Sequence, residues 1–244
     1  MSLQIGDAAP DFTADTTVGR IQFHAWLGES WGVLFSQPRD FTPVGATDLG
    51  QVARLRRDFD KRNVKPIGLS IDTVYSHHQW IEDIRDTQGA IVHFPIVADL
   101  DRSIAKLYGM LHPKHDVLFT VRTLFIVDPK KEVRLIITYP QTCGLNFDEV
   151  LRAIDSLQLT DEHAVCTPAH WQVGDDVIVH PCLFEDDARA QFPRGWNELK
   201  PYLRLTPDPR PAPTFRRRFG LEKLLRWRLE PIAAPARTVR ETFA

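Results

Sequence analysis

Apolar and polar positions change period several times along this chain, and each change marks an element. Gly32-Val33-Leu34-Phe35-Ser36 is a short unbroken apolar run, the pattern of a strand buried on both faces. Pro38 and Pro43 bracket a turn after it. Leu49, Val52, Leu55 and Phe59 then recur at helical spacing, with Arg54, Arg56, Arg57 and Asp58 among the polar positions. Val64 to Ile71 predicts a second buried strand, and His77 to Asp86 a helix with Trp80, Ile81 and Ile84 facing inward. Thr123 to Val127 predicts a third strand, turned at Asp128-Pro129, with Val133 to Thr138 returning as its hairpin partner. From Phe147 to Leu157 the period is helical again, and Asp148 and Glu149 suit the positive end of that helix.

Strands alternating with helices, then a hairpin and a last helix, predict an α/β fold with a mixed sheet. After Leu159 short strand candidates such as Asp176 to Val179 and many turn residues predict a small α+β domain over 160–206, following a first domain over 1–159. The Pro-Asp-Pro-Arg-Pro-Ala-Pro run after Thr206 reads as an extended linker opening a tail over 207–244.

Charge sharpens that division. Residues 210–244 carry a net charge of +6 and the remainder −8, so the tail is basic while the body is acidic. In the tail Phe215, Phe219, Leu221, Leu224, Leu225, Trp227 and Leu229 interleave with Arg216, Arg217, Arg218, Lys223, Arg226 and Arg228. Such a segment suits docking on its own subunit, a dimer mate or an acidic partner. Nucleic acid ranks last, since no reading motif accompanies the charge. No apolar run spans a bilayer, and the first residues lack a signal-peptide pattern. Cys143, Cys166 and Cys182 suggest neither a disulfide framework nor a zinc site. These features predict a cytoplasmic protein without metal or cofactor.

Gln37-Pro38-Arg39-Asp40-Phe41-Thr42-Pro43-Val44-Gly45-Ala46-Thr47-Asp48-Leu49 resembles the active-site segment of the 1-Cys peroxiredoxins, the peroxiredoxin-6-like group of the AhpC/TSA family. Further matches are Lys61-Arg62-Asn63-Val64-Lys65, Leu69-Ser70-Ile71-Asp72, Phe94-Pro95-Ile96, Leu107-Tyr108-Gly109-Met110-Leu111 and Asn146-Phe147-Asp148-Glu149. Thr167-Pro168, Trp171, Gly174-Asp175 and Tyr202-Leu203-Arg204 extend the likeness over roughly residues 3–206. The resemblance implies a thioredoxin-like peroxiredoxin fold with the family's C-terminal domain, and a homodimer.

The same resemblance places the family's peroxidatic cysteine at Gly45, its pocket histidine at Gln37 and a common arginine at Leu145. Pro38, Thr42 and Arg122 retain the family's residues. A peroxidatic thiolate is stabilised by a helix N-terminus and a nearby cation before it attacks the O–O bond. Glycine supplies no nucleophile. The changes at Gln37, Gly45 and Leu145 together fit divergence better than a single inactivating substitution.

The sequence then leaves three readings. In the first, the inherited pocket (Gln37, Pro38, Phe41, Thr42, Pro43, Val44, Gly45, Arg122, Leu145), enlarged at Gly45, takes a small polar or acid-bearing organic substrate. In the second, the protein is a non-catalytic pseudoenzyme acting through its dimer and partners. In the third, it is a thiol peroxidase inactivated at Gly45. Thr42, Arg122 and Cys143 are the catalytic candidates, Cys143 being either a relocated nucleophile or a small packing residue. Gly28-Glu29-Ser30-Trp31-Gly32 also matches G-x-S-x-G, making Ser30, His24 and Asp128 a hydrolase candidate. Here the serine precedes a strand, whereas a nucleophile elbow follows one, so a plain turn is the favoured reading.

Overall fold

The computed structural model describes residues 3–116 and 118–210; the tail segment from 211 onward, with its basic amphipathic pattern, lies outside the described residues. The chain forms two compact units divided after Leu157. In chain order the first contains β1 (Thr13–Thr16), β2 (Gly19–Gln22), α1 (Phe23–Leu27), β3 (Trp31–Ser36), α2 (Pro43–Arg54), α3 (Arg56–Asp60), β4 (Val64–Ser70), α4 (Val74–Gln88), β5 (Ile96–Ala98), α5 (Ser103–Leu107), β6 (Arg122–Val127) and β7 (Val133–Tyr139). Then come α6 (Phe147–Glu162), within which the division falls, and in the second unit β8 (Val165–Cys166), β9 (Val177–Val179), α7 (Glu185–Gln191), β10 (Asn197–Lys200) and β11 (Leu203–Thr206).

The first unit is built on one seven-stranded sheet in the order β2-β1-β5-β4-β3-β6-β7. β3 is an interior strand of it, parallel to β4 and antiparallel to β6, and all six of its residues are buried. That position explains the unbroken apolar run. Alternation sends Val33, Phe35, Leu124 and Ile126 to one face, where Leu49, Val52, Trp80, Ile84, Val150 and Ile154 cover them. Leu34, Phe125 and Val127 go to the other face, against Phe12, Phe23, Leu27 and Tyr108.

Two differences from the sequence reading have local causes. The helix expected through Phe59 is two helices, because Leu55 has a ψ of 9° and opens the turn between α2 and α3. The helix expected from His77 starts at Val74, where the Thr73 hydroxyl caps it by accepting the Ser76 N–H at 3.1 Å. The second unit has a four-stranded sheet, β10-β11-β9-β8, over a core that includes Val165, Trp171, Val177 and Val179. Arg210, at the start of the Pro-rich run, stacks 5.6 Å from the Trp171 ring.

Candidate active site

Gly45 sits in the first turn of α2. Pro43 occupies the first helical position, where a missing N–H costs nothing. Thr42 is the N-cap, and its hydroxyl donates back to Arg39 O at 3.1 Å. The first intrahelical bond is Ala46 N–H to Thr42 O at 2.9 Å, so the Val44 and Gly45 amides precede the ladder at the positive end of the helix.

Behind this turn lies a closed polar group. Arg122, the first residue of β6, is fully buried and donates from Nη1 to Asp48 Oδ2 at 2.8 Å and to Gln37 Oε1. Its Nε donates to Gln141 O at 2.9 Å. Gln37 Nε2 donates to Asp48 Oδ2 at 3.2 Å, and Leu145 N–H to Asp48 Oδ1 at 3.1 Å. Burial pushes the Asp48 carboxyl above its ordinary value, against the pull of Arg122, Gln37 and Leu145. Burial lowers the Arg122 value in turn. Among the described residues, Arg122 Nη2 has no hydrogen-bond acceptor.

The structure thus brings Gln37, Thr42, Gly45, Arg122 and Leu145 together, and it corrects the expected enlargement at Gly45. A Cβ built on Gly45 would lie 2.5 Å from Thr42 Oγ1, 2.9 Å from the far edge of the Trp80 ring and 3.0 Å from Gln37 Oε1. The space is filled by neighbours. Pro38 is buried beneath the same loop, Pro43 is exposed, and Phe41 stands half-exposed with a left-handed φ of 53°, its ring 6.3 Å from Trp80.

Cys143 is exposed on the loop after β7. That loop lies over the helix mouth, since a Cβ on Gly144 would be 3.3 Å from Asp48 Oδ1 and 3.5 Å from Val44 Cγ1. A thiolate charge on Cys143 would favour the charged form of Arg122. The His112–Asp116 loop reaches the same rim, through Gln141 Nε2 and Asp116 Oδ2 at 3.5 Å.

His24, Ser30 and Asp128 have separate partners. Ser30 Oγ donates to Asn63 Oδ1 at 2.8 Å, and His24 Nε2 lies 2.7 Å from Ala9 O. Asp128 accepts from Glu132 N–H at 2.9 Å and Arg134 at 3.1 Å. Among the described residues no hydrogen bond joins any two of the three.

Two groups escaped sequence reasoning. Asp48 is one; its signal was a carboxylate one helical turn from Gly45 on the face carrying Leu49 and Val52. The other is Asp40, which receives His77 Nδ1 and Ser76 Oγ at 2.7 Å each and Ser70 Oγ at 2.8 Å. His77 Nε2 faces Val97 O at 3.2 Å. This buried cluster ties the loop before α2 to β4 and α4.

A mixed sheet with helices on both faces and a Pro-led turn at the start of α2 defines a thioredoxin-like peroxiredoxin fold, and the comparisons agree. The AhpC/TSA family matches residues 5–136, and the C-terminal domain of 1-Cys peroxiredoxin matches residues 156–195. The chain belongs to the AhpC/TSA family of peroxiredoxins. It is 49% identical over 207 residues to a 1-Cys peroxiredoxin of Dictyostelium discoideum, covering 85% of this chain and 86% of that protein. A structure of the yeast mitochondrial 1-Cys peroxiredoxin superposes with a TM-score of 0.80 at 52% identity, over 84% of this chain and 99% of the other. A cysteine-to-serine mutant of the peroxiredoxin 6 of Arenicola marina gives 0.81 at 45% identity, over 86% and 100%. Among the described residues no helix is long and apolar enough to cross a membrane.

Proposed function

We propose that Gly45 stands at the position of the peroxidatic cysteine and that this protein does not reduce peroxide there. In its place, the mouth of α2 binds a small polar or acid-bearing organic molecule. The observation that carries this reading is the glycine itself, in the first turn of α2 between Thr42 and Arg122. The amides of Val44 and Gly45 and Arg122 Nη2 are the donors for the ligand's oxygens, and the Thr42 hydroxyl joins them by turning away from Arg39 O. Val44 and Phe41 supply apolar contact beside them. Because Asp48 already neutralises Arg122, the site offers directed hydrogen bonds more than net charge.

That neutralisation also supports a second reading, in which the site binds without turnover and the protein acts as a pseudoenzyme through a homodimer. Either role is compatible with the cytoplasm; the yeast relative is mitochondrial.

The test is peroxide consumption by the purified chain, compared with Gly45→Cys and with Gly45→Cys, Gln37→His, Leu145→Arg combined. The proposal expects no consumption attributable to position 45 in the unsubstituted chain and little in the single variant. Efficient peroxidase activity from Gly45→Cys alone would instead support an otherwise intact thiol peroxidase. For the binding role, a panel of small carboxylic acids is titrated against the wild type and Arg122→Lys. Binding by neither, with both chains folded, defeats it.

A further inference from the structure

The second unit holds a pair of thiols that the reading of Gly45 does not use. In β8 and β9, Val165 stands opposite Val179 and Cys166 opposite Ile178. The pairing runs one residue further, with His180 N–H donating to Ala164 O at 3.0 Å. Alternation then divides the two strands. Val165 and Val179 enter the core with Trp171. Cys166, Ile178 and His180 share the opposite, partly exposed face, where His180 is the diagonal neighbour of Cys166.

Beyond His180 the chain turns, with Leu183 N–H donating to His180 O at 3.0 Å. Within that turn Cys182 N–H donates to His180 Nδ1 at 3.3 Å, which leaves the imidazole proton on Nε2. Arg204 braces the turn by donating to Leu183 O at 3.0 Å. One imidazole therefore has Cys166 at its diagonal position and Cys182 on its own turn. Cys182 is exposed and Cys166 half-covered. Burial pushes the Cys166 thiol up, and the charge of Cys182 pushes it the same way. Access and charge both make Cys182 the attacking sulfur and Cys166 the resolving one.

We propose that Cys182 and Cys166 are a dithiol that a hydroperoxide oxidises to an intramolecular disulfide beside His180. In the first step the Cys182 thiolate attacks the terminal peroxide oxygen. An S–O bond forms, the O–O bond breaks, and the departing alkoxide takes up the proton released by Cys182. Cys166 then attacks the sulfur of the resulting sulfenic acid. The S–S bond forms and hydroxide leaves with the Cys166 proton as water. One hydroperoxide gains two electrons and becomes an alcohol and water, and two thiols become one disulfide. Bond formation needs the two Cα atoms within about 7 Å, and the exposed turn at Pro181 and Cys182 is the part that adjusts.

The experiment uses the full reduced chain, one equivalent of hydrogen peroxide, alkylation and non-reducing peptide mass spectrometry. The expected product joins the Cys166 and Cys182 peptides, lighter by two hydrogen atoms, is reversed by dithiothreitol, and forms equally in Cys143→Ser. In Cys166→Ser a sulfenic acid accumulates on Cys182 and is captured by dimedone. The inference is overturned if both thiols stay fully alkylatable after peroxide, or if the link runs to Cys143 or to a second chain. Dimedone capture absent from Cys182 in Cys166→Ser overturns the assigned order of attack. Because neither thiol lies near Gly45 in sequence or belongs to its unit, failure here leaves the reading of Gly45 standing.

Discussion

Arg122 Nη1 lies 2.8 Å from Asp48 Oδ2, and the two side chains are 1% and 4% exposed. The charge of β6 facing the mouth of α2 is thus already partnered by a carboxylate from the same helix. Gln37 completes the arrangement by accepting from the arginine and donating to the carboxylate.

Breaking this pair from one side leaves a buried guanidinium without its counter-charge. Asp48→Ala is therefore expected to cost about 3–5 kcal/mol, the usual penalty for removing one partner of a buried pair. Asp48→Asn, which keeps an oxygen for Arg122, costs less. Urea unfolding of both variants checks the order, and equal losses would show that the retained oxygen is immaterial and the lost charge carries the whole effect.

The pH dependence follows from the raised Asp48 value. A carboxyl whose folded value exceeds its unfolded one contributes stability that is complete below the ordinary value of 3.8 and is lost as pH rises through the folded value. Glu149, lowered by Arg152, runs the other way: its contribution is present above 4.5 and lost as pH falls through the folded value. Carbon-13 titration of the two side-chain carboxyls should bracket their ordinary values, Asp48 above and Glu149 below. An Asp48 midpoint below 3.8 would mean that pairing outweighs burial.

Gly45→Ala gives a test of opposed signs. On helix propensity alone alanine would gain up to about 1 kcal/mol. The contacts at Thr42, Trp80 and Gln37 predict a net loss of about 1–3 kcal/mol from overpacking. Thermal unfolding decides: a stabilised variant would show that the turn has room to spare.

His77→Phe removes the imidazole from Asp40 and strands a buried carboxylate among Ser70 and Ser76. A loss of about 3–5 kcal/mol is expected. Amide exchange should rise first at Asp40 and Phe41, whose left-handed backbone this cluster helps to hold. Unchanged exchange there would assign the pair to the core alone.

Much of the sheet was legible because burial on both faces leaves an uninterrupted apolar string, as in Val33 to Phe35 and Leu124 to Val127. β1 and β2 escaped because Thr13–Thr16 buries only alternate residues, Ala14 and Thr16, and the edge strand Gly19–Gln22 buries none. At the site, Thr42 and Arg122 were reachable from the family resemblance. The filling of the space beside Gly45 was not, since it depends on how Thr42, Gln37 and the Trp80 ring are turned. Asp48 was hidden by the ordinary expectation that charged helix residues face solvent.

The three groups crowding the Gly45 Cβ direction come from separate parts of the chain: the end of β3, the cap of α2 and the middle of α4. Any side chain at position 45 therefore meets all three neighbours at once. Relief at one of the three contacts leaves the other two in place, so room for a side chain at this helix mouth has to be made on three elements together.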